Sequence, residues 1–205
     1  MEISSVCRVL IVTAVAVLVG CASTTLEGSW TRPGFGGKRL DGAVLVAGIT
    51  RDETMRRVFE DDMAAKLSAR GVKTTASYTV VPGKLGRDDF EKLVDAARKS
   101  GARYLLSTAL IGQGQEVVVT QDPMWGAGYG YRGWYGRYWG PAYTDVRTYN
   151  VYNAQTSLTE VDSDRIEWTA RTRTSEPSDI EKEVRAFVDV ILDAMGKAQL
   201  LGTAG

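Results

Sequence analysis

The chain has 205 residues, and its 25 Lys and Arg balance its 25 Asp and Glu, so the formal net charge is zero. That length suits one domain with short appendages, and the lack of a basic excess argues against a nucleic-acid binder. Histidine is absent, which excludes a Ser-His-Asp triad or a His-ligated metal.

The first 21 residues, "MEISSVCRVLIVTAVAVLVGC", hold both cysteines, Cys7 and Cys21. A single basic residue, Arg8, precedes an apolar run from Val9 to Val19. The run is shorter than the roughly 20 residues a membrane-spanning helix needs, and it fits the apolar region of a secretory signal peptide over residues 1–20. "LVGC" (Leu18, Val19, Gly20, Cys21) directly follows it. This resembles the lipobox of bacterial lipoproteins, which implies cleavage before Cys21, diacylation of its thiol and anchoring by acyl chains (palmitate among them). Ala22 stands where inner-membrane retention would show Asp, so the resemblance implies the outer membrane, with the domain facing the periplasm. With Cys21 lipidated, a disulfide framework and a cysteine nucleophile are both unavailable.

From Ala22 to about Asp41 the chain is rich in Ser, Thr and Gly, with "RPGFGGK" in its middle. Glycine at that density disfavours regular structure, so residues 21–41 are expected to form a flexible tether. The G-x-x-x-x-G-K-[ST] spacing of a phosphate-binding loop is missing.

A single domain is expected over residues 42–200. "AVLVAGI" (Ala43 to Ile49) reads as a buried strand. Thr50 and Glu53 suggest a capping box opening a helix to about Arg70, with Met55, Val58, Phe59, Met63 and Leu67 on one face and Gly71 as its stop. "VKTTASYTVV" (Val72 to Val81) is β-branched and predicts a second strand, ended by "PGKLG". A helix over Asp88 to Lys99 presents Phe90, Leu93, Val94 and Ala97 inward, and Gly101 stops it. Ala102 to Thr120 reads as a long strand, with Gly112 and Gly114 marking a bulge or bend. Asp145 to Val161 alternates as a half-exposed strand; "DSD" (Asp162 to Asp164) turns, and "RIEWTARTRT" returns with Ile166, Trp168 and Ala170 on one face. Ser178 and Glu181 suggest a further capping box. They open a helix whose stripe is Ile180, Val184, Phe187, Val188, Ile191, Leu192 and Met195.

The expected order is β-α-β-α-β-β-β-α, an α/β (α+β) fold with a mixed sheet in two or three layers. Taken with the lipobox and a Gly/Tyr/Trp insert before a D-turn-(I/V)-x-W hairpin, this order is similar to a group of Gram-negative periplasmic lipoproteins. Their folds are related to the N-terminal domain of the Tol-system β-propeller protein. The group includes the curli secretion lipoprotein and a lipoprotein activator of a penicillin-binding protein, and the similarity covers residues 43–200. It implies an accessory, assembly or binding protein without catalytic residues.

Candidate chemistry is sparse. Asp61 with Asp62, and Asp88 with Asp89, are adjacent on helices and point about 100° apart, so neither pair converges on one substrate atom. Asp162 and Asp164 lack the surrounding oxygen ligands of a calcium loop and suit a turn. No G-x-S-x-G elbow occurs. No cofactor, no metal site and no enzymatic activity are expected.

The remaining feature is a loop over residues 121–144. "WGAGYGYRGWYGRYWG" (Trp125 to Gly140) carries Trp125, Tyr129, Tyr131, Trp134, Tyr135, Tyr138 and Trp139 among six glycines, with Arg132 and Arg137. Such a loop either buries its rings against the sheet or exposes them. Exposed Tyr and Trp in number mark an interaction site for a protein groove, a glycan or lipid headgroups. The sequence therefore points to a membrane-anchored, non-catalytic binding or assembly accessory of the cell envelope, meeting an envelope protein or glycan through this loop. Its rivals are a homo-oligomeric component of a secretion or polysaccharide-export complex and, weakly, an envelope hydrolase.

Overall fold

The computed structural model describes residues 24–122, 143–175 and 179–202. Six strands, β1 (Thr24–Thr31), β2 (Val44–Ile49), β3 (Thr74–Ala76), β4 (Tyr104–Asp122), β5 (Tyr143–Glu160) and β6 (Arg165–Ser175), form one sheet in the order β1-β6-β5-β4-β2-β3. Strands β3, β2 and β4 are parallel, and β4, β5, β6 and β1 are antiparallel neighbours. Three helices, α1 (Glu53–Ser68), α2 (Phe90–Lys99) and α3 (Ile180–Lys197), complete the described fold.

The expected mixed α/β class holds, and the layers number three. Strand alternation sends Val44, Val46, Tyr104, Leu106, Leu158 and Trp168 to one face, where they pack with Phe59, Met63 and Leu67 of α1 and Val188, Ile191, Leu192 and Met195 of α3. Leu45, Ala47 and Leu105 go to the other face, against Leu93, Val94 and Ala97 of α2.

Several boundaries differ from expectation for local reasons. The segment expected to be a tether contains β1, which pairs antiparallel with β6 along its length and adds a strand at the front of the order. Beyond it, Phe35 is buried in edge contact with the Tyr104 ring, and the Leu40 amide donates to Leu200 O. Glycine density misled here because β-branched and aromatic residues in "TTLEGSWT" suffice for an edge strand once a partner strand is present.

In α1 the inner stripe is Arg56, Glu60, Met63 and Leu67 with Phe59, while Met55 is exposed. Asp52 caps the helix by accepting from the Met55 amide at 3.0 Å; Thr50 instead accepts from the Asp52 amide. Only Thr74–Ala76 of the expected second strand pairs with β2, and Ser77–Thr79 coils into a 3-10 turn. A 3-10 turn over Arg87–Asp89 precedes α2, and the Asp89 carboxylate accepts from the Gly86 amide. Asp179 caps α3 through the Lys182 amide, and Ser178 lies outside the described residues. In β6 the register slips between Trp168 and Ile166, inserting Glu167 as a bulge. Trp168 is buried, whereas Ile166 is exposed, so the two do not share a face.

Other expectations hold. Gly71 and Gly101 stop their helices with positive φ, and the turn after β5 places Asp164 in the left-handed region, which Asp tolerates. A register shift between Leu110 and Gly112 puts a bulge in β4 where one was expected.

Candidate functional site

The ends of the sheet are built differently. At the end where β2 and β4 finish, β4 and β5 continue past their neighbours. Pairing of β4 with β2 stops at Ala109, and pairing of β5 with β6 stops at Val151. Gln115 to Asp122 then pair with Asn150 to Tyr143 as a two-stranded arm. Eight residues at about 3.4 Å each extend it by roughly 27 Å. Leu110 and Ile111, at its root, are 54% and 45% exposed.

Strand β1 begins at this same end. Thr24 pairs with Thr174, and Thr174 with Tyr152. The Thr24 and Thr174 hydroxyls share a hydrogen bond of 2.8 Å, and Thr24 is buried. Cys21 lies outside the described residues, three positions before Thr24. Trp125, Tyr129, Tyr131, Arg132, Trp134, Tyr135, Arg137, Tyr138 and Trp139 also lie outside them, between the arm's two strands.

Between the arm root and the helices lies a cavity of about 510 Å³. Most of its wall is apolar, with Ile49, Leu110 and Ala154 from the sheet, Met55 and Phe59 from α1, and Val184 and Phe187 from α3, while Thr50 and Glu183 add polar groups on the helix side. The Phe59 and Phe187 rings meet edge to face at 5.9 Å. Thr108, Tyr152 and Thr174 supply polar groups along the strands. The Thr108 hydroxyl is bonded across the sheet to that of Thr156 at 2.8 Å.

A buried ion pair that sequence reasoning missed lies beside the cavity, with Arg56 in its lining. Arg56 and Glu60 have no exposed side-chain surface, and Arg56 Nε donates to Glu60 Oε1 at 2.9 Å. Arg56 also donates to Ser77 Oγ, Val81 O and Gly83 O. Glu60 accepts from the Gly48 amide at 2.9 Å, the Ser77 hydroxyl at 2.7 Å and the Tyr78 amide at 2.7 Å. Helix α1 comes this close because Gly48 lacks a Cβ, which would stand 3.1 Å from the Phe59 ring. The pair binds segment 77–83 to α1 and to the end of β2. With its donors and acceptors matched, it is a structural staple rather than a reactive group. The signal was present in the sequence: Arg56 and Glu60 are four apart and in phase with Met63 and Leu67.

The opposite end is closed by charge. Arg103 bridges Asp41 at 2.6 Å and Glu160 at 3.1 Å, while Arg165 meets Glu160 at 2.9 Å. The Tyr104 hydroxyl donates to Asp41 at 2.9 Å. That bond, helped by Arg103, holds the Asp41 carboxyl below its ordinary range. Hydrogen bonds from Ser163, Arg165 and Arg103 pull the Glu160 carboxyl down to about 2. Burial, together with the nearby Asp41, pushes the Tyr104 phenol well up. Next to this network the bulged Glu167 is buried and pairs with Arg32 at 2.5 Å.

Three of the carboxylates singled out in the sequence make structural contacts. Asp61 accepts from the Tyr78 hydroxyl, Asp62 pairs with Lys66, and Asp89 pairs with Lys92. Lys66 also reaches Asp189, tying α1 to α3. Asp88 is exposed in its turn. Among the described residues no three His, Cys, Asp or Glu side chains are grouped as metal ligands, and no helix is long and apolar enough to cross a membrane.

No family model and no curated protein matches the chain. Among solved structures it is similar to a dodecamer of a singly substituted PelC from Paraburkholderia phytofirmans, at 19% identity and a TM-score of 0.44, over 82% of this chain and 96% of that one. A second PelC dodecamer from the same organism gives 17% identity and 0.44, over 86% and 98%. The lipoprotein GNA1162 from Neisseria meningitidis gives 11% identity and 0.42, over 76% and 98%.

Proposed function

We propose that the chain is a lipid-anchored, non-catalytic accessory or assembly protein of the bacterial cell envelope, held at the outer membrane through Cys21 and facing the periplasm. The observation that carries this reading is a coincidence of position. The lipobox-like "LVGC" stops three residues before Thr24, and Thr24 sits at the end of the sheet from which the arm projects. The chain leading to Cys21 and the strands leading to the aromatic loop therefore leave the described domain at the same end, and an arm lying along a lipid surface would let both reach it. Several acyl chains, at about 0.8 kcal/mol per buried methylene, hold a domain stably. Tyr and Trp suit the headgroup layer, and Arg132 and Arg137 can pair with phosphates there.

The test is Cys21→Ser in the full chain, followed by lipid labelling and membrane fractionation. The proposal expects both signals to disappear. A mutant that stays in the membrane pellet after a high-salt wash contradicts it.

A second reading, a homo-oligomeric component of a secretion or polysaccharide-export complex, is favoured by the arm itself. Among the described residues, Gln115–Asp122 and Tyr143–Asn150 pair only with each other, leaving both outer edges open. A lone two-stranded ribbon is marginal in water, and open edges invite pairing with another strand. Analytical ultracentrifugation of the purified protein separates this reading from a monomeric accessory.

A further inference from the structure

The position of the largely apolar cavity suggests its occupant. Thr174 lines it, and Thr24 is bonded to Thr174 through their hydroxyls at 2.8 Å. Three residues upstream stands Cys21. At no more than about 3.6 Å per residue, the Cys21 Cα lies within roughly 11 Å of the Thr24 Cα, whatever the intervening conformation. A thioether-linked lipid thus starts close to the cavity's edge.

The chemistry of the walls selects hydrocarbon. Met55, Phe59, Leu110, Val184 and Phe187 present aliphatic and aromatic surface. The Arg56 guanidinium offers little to an anionic head, because Glu60, Ser77, Val81 and Gly83 take four of its five N–H groups, and the Glu183 carboxylate in the same lining would repel one. At about 510 Å³ the space is that of a small-ligand pocket and far too small for a set of acyl chains together.

We infer that this cavity houses one acyl chain of the lipid on Cys21 when the protein is away from a bilayer, shielding that chain from water. The inference rests on the lipidation proposed above. In a membrane the same chain would leave the cavity for the bilayer, so pocket and bilayer compete for it.

The test uses full-length protein from cells fed a palmitate analogue carrying a diazirine and an alkyne. The protein is purified, stripped of detergent and illuminated, and the cross-linked peptides are mapped. Intact mass establishes separately whether Cys21 carries lipid. The expected result is cross-linking within one molecule, on peptides spanning residues 55–59 and 184–187. Filling the space with Ala154→Trp should abolish those cross-links while lipidation persists. Val184→Trp serves as an independent filled variant should Ala154→Trp fail to melt cooperatively. A lipidated protein with no such cross-links, with cross-links only between molecules, or with cross-links unchanged in the filled variants overturns the cavity assignment and leaves the anchor intact. Intact mass without lipid overturns the anchor, and the occupant with it.

Discussion

The two ends of the sheet solve opposite problems. At the Asp41–Glu160 end, charged side chains from several segments close over the strand termini, and Glu160 alone accepts from Ser163, Arg103 and Arg165. At the arm end the strands run on, hydrophobic side chains stand exposed, and an apolar cavity opens between α1 and α3. One buried charge pair, Arg56 with Glu60, keeps that open end in shape. The contrast teaches where contact with other molecules is to be sought. A surface already satisfied by its own ion pairs gains little from a partner, whereas exposed apolar surface and unpaired strand edges gain much.

The largest effect on this contrast should come from the staple. Glu60→Ala leaves the Arg56 guanidinium buried without its counter-charge, which typically costs about 3–5 kcal/mol. Urea melts should show that loss. A shift near zero would mean that segment 77–83 is not held by this pair.

Next come the rings beside the cavity. Phe59 is 5% exposed, and truncation to Ala should cost about 3–5 kcal/mol by removing buried surface and leaving a void. Phe187, only partly buried, should cost less in the same assay. Equal losses would mean that the cavity wall is as tightly packed as the core.

The closed end gives a smaller, pH-dependent effect. Glu160 is held at about 2 when folded, against an ordinary value of 4.5. A depressed carboxyl stabilises the fold fully above its unfolded value and loses that contribution as pH falls through its folded one. Wild type should therefore exceed Glu160→Gln in melting temperature above pH 4.5, and the difference should vanish toward pH 2. A difference that grows as pH falls contradicts the network.

The smallest stability effect is expected in the aromatic loop. Replacing Trp134, Tyr135, Tyr138 and Trp139 with Ser should change stability by less than about 0.5 kcal/mol each if the rings face outward. Thermal melts showing losses of several kcal/mol would place the rings in a packed interior instead.

Where the sequence reading succeeded, period and composition agreed with the environment. The stripe of α3 was legible because it faces a single core, and the apolar run of β2 was legible because that strand is buried on both faces. It failed where a distant partner decided the outcome. Strand β1 exists through β6, far down the chain, and nothing in "TTLEGSWT" announces that pairing. Arg56 and Glu60 look like an exposed helical pair until Gly48, Ser77 and Tyr78 are brought around them. The bulge at Glu167 breaks a clean alternation because Arg32 draws the carboxylate inward. Of the candidate site, residue types and their order were legible; that Thr24, three residues after Cys21, and the arm share one end emerged only from the strand register.

That shared end is most directly tested by tryptophan quenching. The full-length lipidated protein would be reconstituted into vesicles containing lipids brominated along the acyl chain, and its fluorescence compared with that in unbrominated vesicles. Trp125, Trp134 and Trp139 lie between the arm's strands, whereas Trp30 is in β1 and Trp168 is buried in the core. A membrane-facing arm predicts strong quenching that is lost when the three loop tryptophans are replaced by Phe. Quenching that is absent, or that persists undiminished in the triple variant, would contradict it.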